Sequence, residues 1–308
     1  MTARAVVFAY HDVGARCLEV LLSADVEVSL VVTHEDDPRE NRWFASVATK
    51  AADHDLPCIA PASAEARELS VRVGELRPDF LFSFYYRSLL DDALLSTPRH
   101  GALNMHGSLL PKYRGRAPVN WAILKGERET GATLHYMVAR ADAGDIVDQQ
   151  SVPILQEDDA STVMNKVSVA AEIVLARSLP ALLAGTASRR PQSIEPGQYF
   201  GRRRPEDGRI DWRKSAADIH NLVRAVAPPF PGAFTEIEGI RWWIHRTRIE
   251  PHGSSAANAA KLYAAGGRCY IACADGGVLR ILNAANDDGP LDLGGLARAL
   301  GDRSIVLS

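Results

Sequence analysis

The chain has 308 residues, 46% of them hydrophobic and 24% charged, which is material for one large or two medium globular domains. Its formal net charge is −3, too small to imply a nucleic-acid partner. No run approaches the roughly 18 consecutive apolar residues of a membrane span. The first apolar run is cut short by His11 and Asp12, unlike a signal peptide, so a cytoplasmic protein without a membrane partner is expected.

Residues 5–9 read as a strand, 14–23 as a helix and the β-branched stretch 26–33 as the next strand. Residues 43–53 have helical spacing, 58–60 form a short strand and 64–76 a helix. An aromatic strand follows at 80–85, a short helix at 89–95 and a strand at 102–106. This alternation predicts an α/β domain, a parallel sheet with helices on both faces. Residues 118–125 look helical, with Pro118 in the first turn. Residues 133–138 and 146–152 read as strands, and 158–183 as a long helix closed by Gly185. Residues 186–206 are rich in Arg, Pro, Gly and Gln and mark a boundary. Beyond it come a helix at 215–226 and short strands at 233–237, 241–245, 269–272 and 278–282. They predict a smaller β-rich domain.

The four cysteines suggest neither disulfide nor metal. Cys269 and Cys273 share one face of a strand, which sets their Cα atoms roughly 13 Å apart, too far for a disulfide. No second Cys/His pair stands nearby in sequence to complete a metal site. Buried or free thiols are expected.

A domain that begins on such a strand invites a dinucleotide reading. The turn Tyr10-His11-Asp12-Val13-Gly14 has one glycine where the phosphate-binding fingerprint needs three. NAD and FAD are therefore not expected, and Gly14 is read as serving a turn at the helix start.

The strand at 102–106 carries the most unusual pattern. Alternation puts Asn104 and His106 on one face, near the strand's C-terminal end, where open α/β sheets place their sites. A polar pair on an interior strand must find hydrogen-bond partners. A satisfied core histidine is one reading and a catalytic pair is the other. Lys112, Arg114 and Arg116 follow at once and bring cations to the same edge, unless they belong to a solvated loop. Asp142, in Arg140-Ala141-Asp142-Ala143-Gly144-Asp145, is a carboxylate among small residues, or a turn.

These residues together resemble a known family. Residues 104–111, with Arg114-Gly115 and Ala117-Pro118, are similar to the core motif of the 10-formyltetrahydrofolate-dependent formyltransferases. An aspartate 36 positions after the histidine completes that family's catalytic set, and Asp142 stands there. Within the family the match is closest to the formyltransferase module of a bifunctional protein that formylates UDP-4-amino-4-deoxy-L-arabinose. It rests on residues 6–12, 83–87, Arg116, 200–203, 220–226 and 231–234, and thins after about residue 250.

The resemblance implies a Rossmann-like α/β catalytic domain over residues 1–204, with 190–204 as linker. It implies a smaller OB-like open barrel over 205–308. The formyl donor would be 10-formyltetrahydrofolate, a co-substrate, with no metal. Its contacts would be Ser88, Leu89, Leu90, Arg116, Val138, Ala139, Arg140, Ala141 and Asp142; Ser88 to Leu90 also read as a helix start. The acceptor would be a nucleotide sugar, with methionyl-tRNA or water as alternatives. Arg202, Arg203 and Arg224 would meet its pyrophosphate or else pair with acids. The bifunctional protein's decarboxylating half has no counterpart in this sequence, so a decarboxylase partner would be a separate chain; an oligomer is compatible with all of this.

Formyl transfer to an amine passes through a tetrahedral oxyanion, which needs a hydrogen-bond donor, a proton handler and fixed geometry. Asn104 is the expected donor, His106 the acid and base, and Asp142 the group that orients His106.

Overall fold

The fold is that of a computed structural model, which describes residues 2–36, 42–61, 66–195, 199–251 and 259–307. The chain forms two compact units. One comprises residues 1–118, 129–153 and 164–201, the other 119–128, 154–163 and 202–308.

The elements run β1 (Arg4–Ala9), α1 (His11–Ser23), β2 (Glu27–Val32), α2 (Val47–Asp53), β3 (Cys58–Ile59), α3 (Ala66–Glu75), β4 (Phe80–Phe84), α4 (Asp92–Leu95) and β5 (Ala102–His106). They continue with β6 (Arg114–Gly115), α5 (Pro118–Leu124), β7 (Glu129–Tyr136), β8 (Ile146–Pro153), α6 (Ala160–Leu183) and β9 (Tyr199–Phe200). The main sheet has the order β3-β2-β1-β4-β5-β7-β8. β3 to β5 are mutually parallel, as the βαβ alternation predicts. β7 and β8 extend the sheet as antiparallel strands.

Buried positions explain these elements. Val6, Val7, Phe8 and Ala9 are fully buried on both faces of β1, the continuous apolar run of an interior parallel strand. α2 begins where Ser46 Oγ accepts the Thr49 N–H at 3.2 Å, and α4 where Asp91 Oδ1 accepts the Leu94 N–H at 2.9 Å. Both are ordinary N-caps.

Gly14 corrects its reading as a turn residue. It lies inside α1, where an added Cβ would stand 3.1 Å from Ala9 Cβ and from Val47 Cγ2. It allows close approach of helix to strand. The turn itself falls on His11, at φ 66°.

The second unit contains α7 (Ala216–Ala225), β10 (Ala233–Ile237), β11 (Ile240–Glu250), β12 (Lys261–Ala265), β13 (Arg268–Ala272), β14 (Val278–Asn286), β15 (Gly289–Pro290), α8 (Leu293–Leu300) and β16 (Ser304–Val306). Its strands make a curled antiparallel half-barrel in the order β10-β11-β14-β13-β12-β16, with β15 beside β14. Ile219, Val223, Trp242, Ile244, Leu262, Ile271 and Leu279 fill its core. Cys269 and Cys273 are free and buried within it. No helix among the described residues is long and apolar enough to cross a membrane.

Candidate functional site

Asn104 and His106 leave β5 on one face, as strand alternation requires. Across the antiparallel pairing, Asn104 is opposite His135 and His106 is opposite Thr133. Asn104 Nδ2 lies 3.1 Å from His135 Nε2, and His135 Nδ1 lies 2.8 Å from the Tyr136 carbonyl oxygen. A carbonyl only accepts, so Nδ1 carries the ring proton and Nε2 accepts from Asn104. One Asn104 N–H is thereby fixed, and the amide keeps its second.

The same reasoning assigns His106, which is 6% exposed. Its Nε2 donates to the Tyr113 carbonyl at 2.9 Å, so in the neutral ring the lone pair is on Nδ1. That atom faces Asp142 Oδ1 at 3.6 Å, and the same oxygen is 3.7 Å from His135 Nε2. Both distances exceed a hydrogen bond, so the carboxylate acts on the two rings through its charge. Its other oxygen, Oδ2, accepts the Gly115 N–H at 2.9 Å. Burial pushes the Asp142 carboxyl up. Electrostatic interaction with His106, contact with His135 and the Gly115 N–H together overcome burial and hold it well below the usual carboxylate range. Asp142 is ionised at any ordinary pH.

The loop after His106 is tied back to the sheet. Thr133 Oγ1 donates to the Ser108 carbonyl at 2.6 Å and accepts from Leu110 N at 3.1 Å and Gln149 Nε2 at 2.9 Å. Ser108 Oγ donates to the Lys112 carbonyl at 2.6 Å. These bonds deliver the Tyr113 carbonyl to His106. Gly107 is required here, since an added Cβ would lie 1.8 Å from Tyr85 Oη. Among the described residues that buried hydroxyl has no partner, and burial pushes its pKa up.

An aromatic cluster stands at the ends of β1, β2 and β4. His11 stacks on Phe44 at 4.3 Å, His34 stacks on Tyr86 at 4.1 Å, and Arg87 lies over Tyr10 at 4.6 Å. His34 Nε2 accepts the Arg87 N–H at 3.0 Å. Burial lowers His11 and His34 to about 4 each, against the pull of Asp12 on His11 and with the help of Arg87 on both. Both rings are neutral at pH 7. His11, Tyr85, Tyr113, Ala117 and Asp142 all have φ between 53° and 66°, the left-handed region that side chains rarely adopt. Such strain, of order 1–3 kcal/mol per residue, gathers at functional sites.

The other residues singled out in the sequence divide. Ser88 and Leu89 are exposed between β4 and α4, while Leu90 packs with Met137 against the core of Val6, Phe8, Leu81 and Ala102. Val138, Ala139 and Arg140 are exposed and Ala141 is half-buried after β7. Arg116 is exposed and donates to the Arg87 carbonyl at 3.3 Å. Arg114 is no member of a solvated loop: it is 3% exposed, and its Nε and Nη1 have no hydrogen-bond partner among the described residues. Arg224 is occupied within the second unit, donating to Asn221 Oδ1 at 2.8 and 3.1 Å and to the Leu155 and Asp158 carbonyls at 3.1 and 3.2 Å. Arg203 lies over Trp121 at 5.0 Å and donates to the Asp207 carbonyl. Arg202 lines a shallow cavity of about 510 Å³ with Arg203, Arg204, Pro205 and Glu206.

Sequence reasoning missed His135, the Tyr113 carbonyl and the Gly115 N–H. Only His135 had a signal, its alternation with Thr133 on one strand, and using it requires the β5–β7 register.

Residues 6–179 match the family model described as formyl transferase, and residues 203–291 match the formyl transferase C-terminal domain. The chain belongs to the formyl transferase family. It is an enzyme of the formyl-transferring class. Among solved structures, the formyl transferase resembles an N-formyltransferase from Helicobacter canadensis in complex with folinic acid and dTDP-3-aminofucose. The two share 21% identity and a TM-score of 0.71 over 91% of this chain and 99% of that one. It also resembles WlaRD, a sugar 3N-formyltransferase determined in the presence of dTDP and 5-N-formyl-THF, at 18% identity and a TM-score of 0.72 over 95% and 99% of the two chains. A third is a 4-N formyltransferase from Francisella tularensis, at 20% identity and a TM-score of 0.62 over 75% and 91%. At these identities the likeness establishes a shared fold.

Proposed function

We propose that this formyl transferase moves the formyl group of 10-formyltetrahydrofolate to the 4-amino group of a UDP-amino sugar, UDP-4-amino-4-deoxy-L-arabinose. The observation that carries the reading is the convergence of Asn104, His106 and Asp142 on one face of β5. Support for the two substrates comes from sugar N-formyltransferases of the same fold that bind folate derivatives and dTDP or a dTDP-sugar, and from the motifs at residues 83–87 and Arg116.

The donor's loops have suitable chemistry. Leu90 and Met137 anchor two loops on one core cluster, while Leu89 and Val138 stay 80% and 47% exposed. Exposed apolar side chains suit a flat aromatic ring system. Ser88, Arg116, Ala139, Arg140 and Ala141 complete the proposed contacts.

Each residue then has one task. The donor supplies the electrophilic formyl carbon. Asn104, with one N–H held by His135, directs its second toward the oxygen that becomes negative as the amine attacks. His106 takes the proton at Nδ1, because Nε2–H is committed to Tyr113. Asp142 stabilises the resulting imidazolium and fixes the ring's orientation. His106 then returns the proton to the departing folate nitrogen.

The test is an assay of the pure protein with 10-formyltetrahydrofolate against UDP-4-amino-4-deoxy-L-arabinose, dTDP-3-amino and dTDP-4-amino sugars, and methionyl-tRNA. N-formylated UDP-sugar is the expected product. Turnover confined to methionyl-tRNA, or formate release that needs no acceptor, overturns the reading.

A further inference from the structure

The catalytic aspartate is held from two sides. Gly115 holds its carboxylate, and its backbone is gripped by a side chain from a segment far along the chain. Gln192 Nε2 donates to the Gly144 carbonyl at 2.6 Å and to the Asp142 carbonyl at 3.2 Å. Both amide protons are thus committed to the loop that carries Asp142. The orientation of the amide is unambiguous, because its reverse would set an oxygen against two carbonyl oxygens.

Neighbouring residues press the same loop into place. Arg190 and Ile146 exchange backbone hydrogen bonds at 2.8 and 2.9 Å. The Arg189 guanidinium covers the Tyr136 ring at 3.7 Å, and the Tyr136 carbonyl is the acceptor that sets the His135 tautomer. Gly144 seats the loop against that carbonyl so closely that an added Cβ would stand 2.0 Å from its oxygen. Asp142 itself is in the left-handed region at φ 53°, a conformation that persists only where its surroundings enforce it.

We propose that Gln192 is a positioning residue for Asp142, and through it for the Nδ1 atom of His106. The assignment rests on the reading of Asp142 as the partner of His106. Gln192 touches no reacting atom. It fixes the backbone from which the carboxylate projects, and a small displacement there changes a 3.6 Å approach to which transfer rates are steeply sensitive.

Gln192→Met removes both donors with little change of volume. The expected result is a folded protein whose KM for 10-formyltetrahydrofolate stays near the parent's while kcat, with UDP-4-amino-4-deoxy-L-arabinose as acceptor, falls about 10- to 100-fold. The ¹⁵N resonance of His106 Nδ1, read without substrates, moves toward its position in Asp142→Asn. A parent-like kcat together with a parent-like His106 spectrum overturns the proposal. Gln192→Glu is the second variant, since its carboxyl donates only when protonated. Loss of activity at pH 8, with recovery relative to parent as pH falls toward 5, supports the proposal, and parent-like activity at pH 8 overturns it. The readings separate cleanly. A His106→Ala protein that keeps its activity removes the reading of His106, whereas a shifted His106 spectrum without turnover removes only the acceptor.

Discussion

His106 Nδ1 faces Asp142 Oδ1 across 3.6 Å, with Nε2 of the same ring already bonded to the Tyr113 carbonyl. In the proposed mechanism the pair is set for a proton that arrives at Nδ1, where the new N–H meets a carboxylate, and not for one shared in the resting state.

Asp142→Asn is expected to lower kcat on the order of 10²-fold or more, the usual range for lost acid–base assistance. Steady-state kinetics read this directly. The carboxyl is depressed below its unfolded value near pH 3.9. Its contribution to stability is therefore complete above that pH and is lost only as pH falls below it. The Tm difference between parent and variant should shrink as pH falls below about 4.

Asn104→Ala removes the proposed oxyanion donor. The expected loss is about 10²–10³-fold in kcat, with little change in KM for the formyl donor. His135→Phe should reproduce part of that loss, since His135 Nε2 fixes one Asn104 N–H at 3.1 Å. A double variant no worse than Asn104→Ala alone would show the two acting as one unit.

His11 and His34 give a pH signature to stability. Each is lowered to about 4 in the fold, below the unfolded value of about 6.5. The unfolded chain then binds more protons between those limits, and stability falls as pH drops from about 6.5 toward 4. Thermal melts at half-unit intervals test this. His11→Asn, a residue that tolerates φ 66°, should flatten part of the slope, while a slope identical to the parent's counts against a neutral buried His11.

Tyr85→Phe deletes a buried hydroxyl that has no partner among the described residues. Such a group costs about 1–3 kcal/mol, so the variant should match or exceed the parent in urea denaturation. Gly107→Ala in the same experiment should be strongly destabilised, because its methyl would sit 1.8 Å from that oxygen.

Legibility followed the range of the interactions. Asn104 and His106 stood out because a strand's period of two is local, and β5 spans the residues that alternation assigned to it. Their grouping with Asp142 came from a family spacing that encodes a long-range contact. His135 stayed hidden because its place opposite Asn104 depends on antiparallel pairing between strands about 30 residues apart in sequence. Arg114 looked like one more loop cation, since nothing in Lys-Tyr-Arg-Gly-Arg says that β6 pairs with β9 and buries it. Gly14 was misread for a related reason. A glycine that admits a neighbouring strand looks the same in sequence as one that makes a turn.

The left-handed residues around the site limit how this chain can be hardened. At His11, Tyr85, Tyr113 and Asp142 the easiest backbone would be glycine's. Glycine there would relax the backbone, but it would also delete the packed rings of His11, Tyr85 and Tyr113 or the carboxylate of Asp142. The strain therefore cannot be engineered away without dismantling what it holds in place.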